Sequence, residues 1–159
     1  MPAAVGEAAR PVGVRDERGM PSLQRMNALL KPDADDALAA LLEWSDPVVF
    51  DCLRECYGLR LGEPQAGSLA HRHARQWRAL IAGDMTRFDE LRCDLVAALA
   101  AFDLDVGCML EADVCVLAEL YEIAMARFDR SPRRAQAYRD ALQVLAAKLA
   151  PTKGKLAAA

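Results

Sequence analysis

The most constraining feature of this chain is an apolar repeat near its middle. Phe88, Leu91, Leu95, Leu99 and Phe102 recur at spacings of three and four. That period places them on one face of an α-helix and excludes a strand, whose faces alternate every two residues. Comparable stripes precede and follow it. Leu38, Leu41 and Leu42 share one face, and Val49, Leu53, Cys56 and Tyr57 another. Leu69, His73, Trp77, Leu80 and Ile81 make a third, and Tyr138, Leu142, Leu145 and Leu149 a last one. Aromatics are only 6% of a chain that is 53% apolar, so Ala and Leu must fill the core. Both are strong helix formers. The expected fold is all-α, and at 159 residues one domain can bury its own core.

Local signals divide the chain into six expected helices. The first spans about 33–44. The second starts with Asp46 as N-cap and Pro47 in the first turn. Ser68 is the expected cap of the third, which ends at Gly83. Thr86 and Asp89 resemble a capping pair for the fourth. Asp103 or Asp105 opens the fifth, which is apolar on most faces and so expected to be central or covered by a partner. Ser131 and Pro132 open the sixth, and Pro151 stops it. Residues 1–30 are rich in Gly and Pro and read as a flexible arm, able to carry a short helix near 23–30. The helical domain spans 31–151. The tail 152–159 ends Lys155-Leu-Ala-Ala-Ala159, which reads as either vector-derived or a natural low-complexity end.

Composition excludes several classes. Net charge is −3, and the aromatics near the arginine runs (Trp77, Phe128, Tyr138) fall on apolar stripes. Nucleic-acid binding is therefore not expected. No run approaches the ~20 apolar residues of a membrane span. The five cysteines (Cys52, Cys56, Cys93, Cys108, Cys115) include no Cys-x-x-Cys. They read as buried, reduced thiols of a cytoplasmic protein.

Candidate chemistry is sparse. His71 and His73 lie two apart, so on a helix they point about 200° away from each other and cannot chelate one ion. With Arg72 and Arg75 they read as a solvated basic face. Cys52 and Cys56 can face the same way, but the histidines have the wrong spacing to complete a zinc site. Glu111, Asp113, Glu119 and Glu122 read as the solvent or partner face of their helix. Ser45, Ser68 and Ser131 fall at expected helix starts. The glycines form no phosphate-binding pattern, and an enzyme is not expected.

The run from Trp77 to Leu149 resembles the later helices of globin-coupled sensors. These are bacterial globin domains that precede chemoreceptor signalling modules or diguanylate cyclases. The resemblance rests on Trp77 with Leu80 and Gly83, on Phe88-Asp89, and on Phe102-Asp-Leu-Asp105, where the family often has an Ile-Gly-Leu-Asp-like turn. The Arg127-Phe128…Ser131-Pro132 junction also matches. About half the chain is covered, by short and mostly structural motifs.

The resemblance implies a globin-like bundle of about six helices, serving as a sensory input module. It further implies a homodimer through the last two helices and an output domain or protein partner. The family's proximal histidine, which binds haem iron, stands three residues before the turn. Here that position is Leu99, flanked by Ala98 and Ala100, so the expectation is a haemless variant with no cofactor. Three alternatives remain open at this stage. One is a haem-binding gas sensor that uses His71 or His73. Another is a small-molecule regulator with a pocket lined by Trp77, Leu99, Cys108, Met109 and Tyr121. The last is a helical protein–protein adaptor.

Overall fold

The computed structural model describes residues 34–150. The expectations for the arm, for the tail and for Pro151 fall outside the described residues. Among the described residues five α-helices follow one another: α1 (Ala34–Gly58), α2 (Gln65–Ala82), α3 (Met85–Ala101), α4 (Val106–Arg127) and α5 (Pro132–Leu149). No strand occurs among the described residues. Helix α2 packs against α1 and α3, while α4 and α5 pack against α1 and each other. The core is built from Leu41, Leu53, Leu69, Trp77, Leu80, Leu95, Leu99, Met109, Leu120 and Leu145, all essentially inaccessible to solvent.

The first two expected helices are one. Helix α1 runs through Pro47, and its buried stripe Ala37, Leu41, Ser45, Val49, Leu53, Tyr57 keeps a step of four across the proline. Proline removes one N–H and leaves the carbonyl of residue 43 without its helical donor. Glu43 and Pro47 both face solvent, so water can satisfy that carbonyl. Asp46 does not cap a helix; its carboxylate pairs with Arg78 of α2 at 2.7 Å. Core burial in unbroken register outweighs a strong local start signal.

Other boundaries shift by a few residues. Helix α2 begins at Gln65, before Ser68, and no side chain caps it. Gly83 ends it with φ of 79°, the left-handed conformation that glycine adopts without strain. Asp84, rather than Thr86, caps α3 by accepting from the Arg87 amide at 3.0 Å. Asp105 caps α4 by accepting from the Cys108 amide at 3.1 Å. Pro132 opens α5, although the Ser131 hydroxyl makes no capping bond. The stripe of α5 is buried as expected, as are Phe88, Leu91, Leu95 and Leu99 of α3, while Phe102 follows that helix and is half-buried. Helix α4 is not buried all round: Val114 is 65% and Tyr121 45% exposed. An aromatic corner closes the bundle end, with Phe128 stacked on Tyr138 at 4.7 Å and Trp44 at 6.4 Å from the same ring.

Candidate functional site

The polar centre of the domain lies on α2 and α4, where buried His73 follows exposed Arg72 and buried Asp113 precedes exposed Val114. Helix α2 turns His73 and Trp77 inward on one face, a spacing of four. His71, two positions away, is exposed, as the 200° offset requires. The expectation of a solvated His71–His73 face therefore holds for His71 and fails for His73, which is wholly buried. Asp113 of α4 is also buried, which corrects its assignment to a solvent or partner face.

These groups form one connected network. The His73 Nε2–H donates to Asp113 Oδ1 at 2.7 Å. The Trp77 indole N–H donates to the same oxygen at 3.0 Å. Arg92 of α3 donates to Asp113 Oδ2 at 3.0 Å. The Tyr57 hydroxyl of α1 lies 2.8 Å from His73 Nδ1. An ionised carboxylate only accepts, so Nε2 must carry a proton. Nδ1 then accepts from the Tyr57 hydroxyl, which gives that hydroxyl hydrogen its partner. Burial pushes the Tyr57 phenol above its ordinary value, and the nearby Asp113 charge pushes it further.

One carboxylate thus gathers donors from two helices directly, and from α1 through the imidazole. Burying a carboxylate is costly unless it is paired and hydrogen-bonded. Here the guanidinium supplies the charge and two ring N–H groups supply the remaining bonds. The Arg92 guanidinium also lies 5.4 Å from the centre of the Phe88 ring, so α3 anchors it on both sides. Helix α3 packs mainly on α2, and the Arg92–Asp113 pair links it to α4 beyond the short turn that joins them.

The arrangement has clear chemical limits. Both nitrogens of His73 are engaged, so neither has a lone pair free for a metal. His71 instead borders an open surface hollow of about 320 Å³ with Asp46, Pro47, Phe50, Arg75 and Arg78. Among the described residues, no group of three or more His, Cys, Asp or Glu side chains is placed to hold a metal ion. The residues expected to line a pocket do not border that hollow. Trp77, Leu99, Cys108 and Met109 are buried, Leu99 in the packed core. Tyr121 is exposed on α4. Two buried side chains, Ser45 and Gln76, have polar atoms without a partner.

The cysteines also depart from expectation. All five are free thiols, but only Cys108 is buried. Cys52 and Cys56 are half-buried, while Cys93 and Cys115 are exposed. The Cys56 thiol interacts with the side chains of both Cys52 and Cys115. Burial pushes it up to about 12, and the nearby Cys115 and Cys52 thiols raise it further. Burial and the Cys115 charge also raise Cys52. Periodicity alone could show Cys52 and Cys56 on one face. It could not show that α4 brings Cys115 to them.

Two features define the domain at this point: an all-helical bundle, and a satisfied polar hub at its centre. Comparison with protein-family models, with curated proteins and with solved structures finds no match for the chain. No helix among the described residues is long and apolar enough to cross a membrane.

Proposed function

We propose that this chain is a non-catalytic, globin-like regulatory domain without haem, which relays a signal through helix–helix contacts of a homodimer. The observation that carries this reading is the free side of α4. Leu110, Val114, Leu117 and Tyr121 recur at steps of four, three and four. They form a stripe beside the buried face, and its middle and end stay open to solvent. A contiguous apolar helix stripe with polar borders is the usual surface for helix pairing.

Charge favours a second copy as the occupant. Helix α4 exposes Glu119 and Glu122, whereas α5 exposes Arg133, Arg134 and Lys148. A two-fold axis sets α4 of one protomer against α5 of the other, and acid then meets base twice. Val144, also partly exposed on α5, extends the apolar area.

The globin-like part of the reading has its own support. Asp103 adopts φ of 57° at the turn between α3 and α4. The resembled family often has glycine at that position, and glycine takes this conformation freely. Leu99 is packed in the core at the family's iron-ligand position, and His73 has no free nitrogen. These features favour the haemless form over a gas sensor. In a larger protein the natural output is a signalling module such as a diguanylate cyclase or chemoreceptor, fed by α4 and α5.

The test is a pair of charge insertions in the stripe, Val114→Glu with Tyr121→Glu, read by light scattering. Both positions are exposed, so helicity should be unchanged. Loss of a dimer seen in the parent chain supports the proposal. A parent chain that is monomeric at high concentration refutes it.

A further inference from the structure

Helix α2 carries three arginines and no acid, in a chain whose net charge is −3. Two of those arginines, Arg75 and Arg78, line the open hollow of about 320 Å³ together with His71. The three recur at steps of four and three, so they form one edge of α2. Helix α1 supplies the opposite wall with Asp46, Pro47 and Phe50. None of these residues belongs to the hub or to the α4 stripe. We propose that the hollow is a binding site for a small phosphate monoester that carries a flat ring.

Charge sets the anionic end. Like charges one turn apart on a helix repel, and α2 has no acid of its own to offset them. Asp46 is the acid in the lining, and Arg78 takes its carboxylate at 2.7 Å. Arg75 and His71 make no ion pair or hydrogen bond among the described residues, and both are exposed. Four residues apart on one helix, their Cβ atoms lie about 5–6 Å from each other. A guanidinium edge binds two phosphate oxygens in parallel, and an imidazole N–H reaches the third. A carboxylate has only two oxygens, so Arg75 alone would saturate it and leave His71 idle.

Shape sets the other end. Phe50 is half-buried and packs against the core, which holds its ring at the wall of the hollow. A flat ring gains by stacking on it, and Pro47 and Ala74 add apolar surface. The hollow lies at the small end of the roughly 300–1,000 Å³ typical of ligand pockets. That size suits a single ring with its phosphate rather than a peptide segment. No wall belongs to α4 or α5, so a monomeric chain binds equally and the site is tested apart from the dimer.

The experiment titrates the full chain calorimetrically with phenyl phosphate, inorganic phosphate and benzoate. Phenyl phosphate is expected to bind at least about tenfold more tightly than either of the others. Arg75→Ala should weaken it by at least about tenfold. Phe50→Leu keeps apolar volume but loses the ring, and should narrow the margin over inorganic phosphate. Arg72→Ala removes an equal charge from α2 outside the hollow, and should leave the affinity unchanged. In a ¹⁵N imidazole spectrum, His71 should shift on binding and His73 should not. No saturation by about 10 mM phenyl phosphate overturns the proposal. So does equal affinity for inorganic phosphate or for benzoate. An equal loss from Arg72→Ala and Arg75→Ala also overturns it, because that marks diffuse charge rather than a site.

Discussion

Replacing Asp113 with Asn is the sharpest perturbation of the hub. The amide has nearly the same outline as the carboxylate, so the change opens no cavity. The carboxylate accepts at 2.7 Å from His73, at 3.0 Å from Trp77 and at 3.0 Å from Arg92. An Asn side chain has one oxygen. If it serves His73 and Trp77, the NH₂ group faces the Arg92 guanidinium, donor against donor. If it flips, two ring N–H groups lose their acceptor in a site that water does not reach.

A hydrogen bond to a charged group contributes about 1.5–3 kcal/mol, and a stranded buried donor costs about 1–3 kcal/mol. Arg92 is 15% exposed and recovers some hydration, so the lower half of the summed range applies. The expected loss is about 3–4 kcal/mol, a large part of the roughly 5–15 kcal/mol that holds a domain together. With a urea slope of about 1–3 kcal/mol per molar, the unfolding midpoint falls by roughly 1–4 M. Urea titration followed by Trp77 and Trp44 fluorescence measures it. A midpoint within about 0.3 M of the parent, at an unchanged slope, refutes the claim that this carboxylate holds the helices together.

Two further changes probe the fold and the thiols. Pro47→Ala restores a helical hydrogen bond at an exposed position of α1 and should stabilise the domain by about 1–3 kcal/mol, measured by the same titration. No gain would mean that α1 is not continuous there. The Cys56 thiol is held up to about 12 when folded, above its ordinary value of 9.0, so its neutral form favours the fold fully below about pH 9. That contribution should be lost as pH rises from about 9 towards 12, and Cys56→Ser should flatten the alkaline fall in thermal midpoint.

The helices were legible because their signals are local. The stripe Phe88, Leu91, Leu95, Leu99 and the cap of Asp105 depend only on neighbours in sequence. The break expected at Asp46 and Pro47 failed because a local start signal says nothing of the register that the core imposes. The hub was hidden for a similar reason. His73 and Asp113 lie 40 residues apart, His73 between Arg72 and Arg75, and Asp113 itself a charged residue two positions from Glu111. Only the packing of α2 against α1 and α3, with α4 across them, turns those two side chains inward. His73 does share a face with Leu69, Trp77 and Leu80. A polar residue on an apolar stripe was the available sign that a buried partner existed.

The central claim is that the hub takes up both ring nitrogens of His73, which the proposed haemless reading requires. The chain has 2 histidines, so the imidazole nitrogen spectrum of a ¹⁵N-labelled sample can resolve each ring. The account predicts that His73 shows a proton fixed on Nε2, slow to exchange, with Nδ1 accepting a hydrogen bond, and that added haem leaves these signals unchanged. A His73 ring that exchanges like the exposed His71, or one whose signals vanish on haem addition, would contradict it.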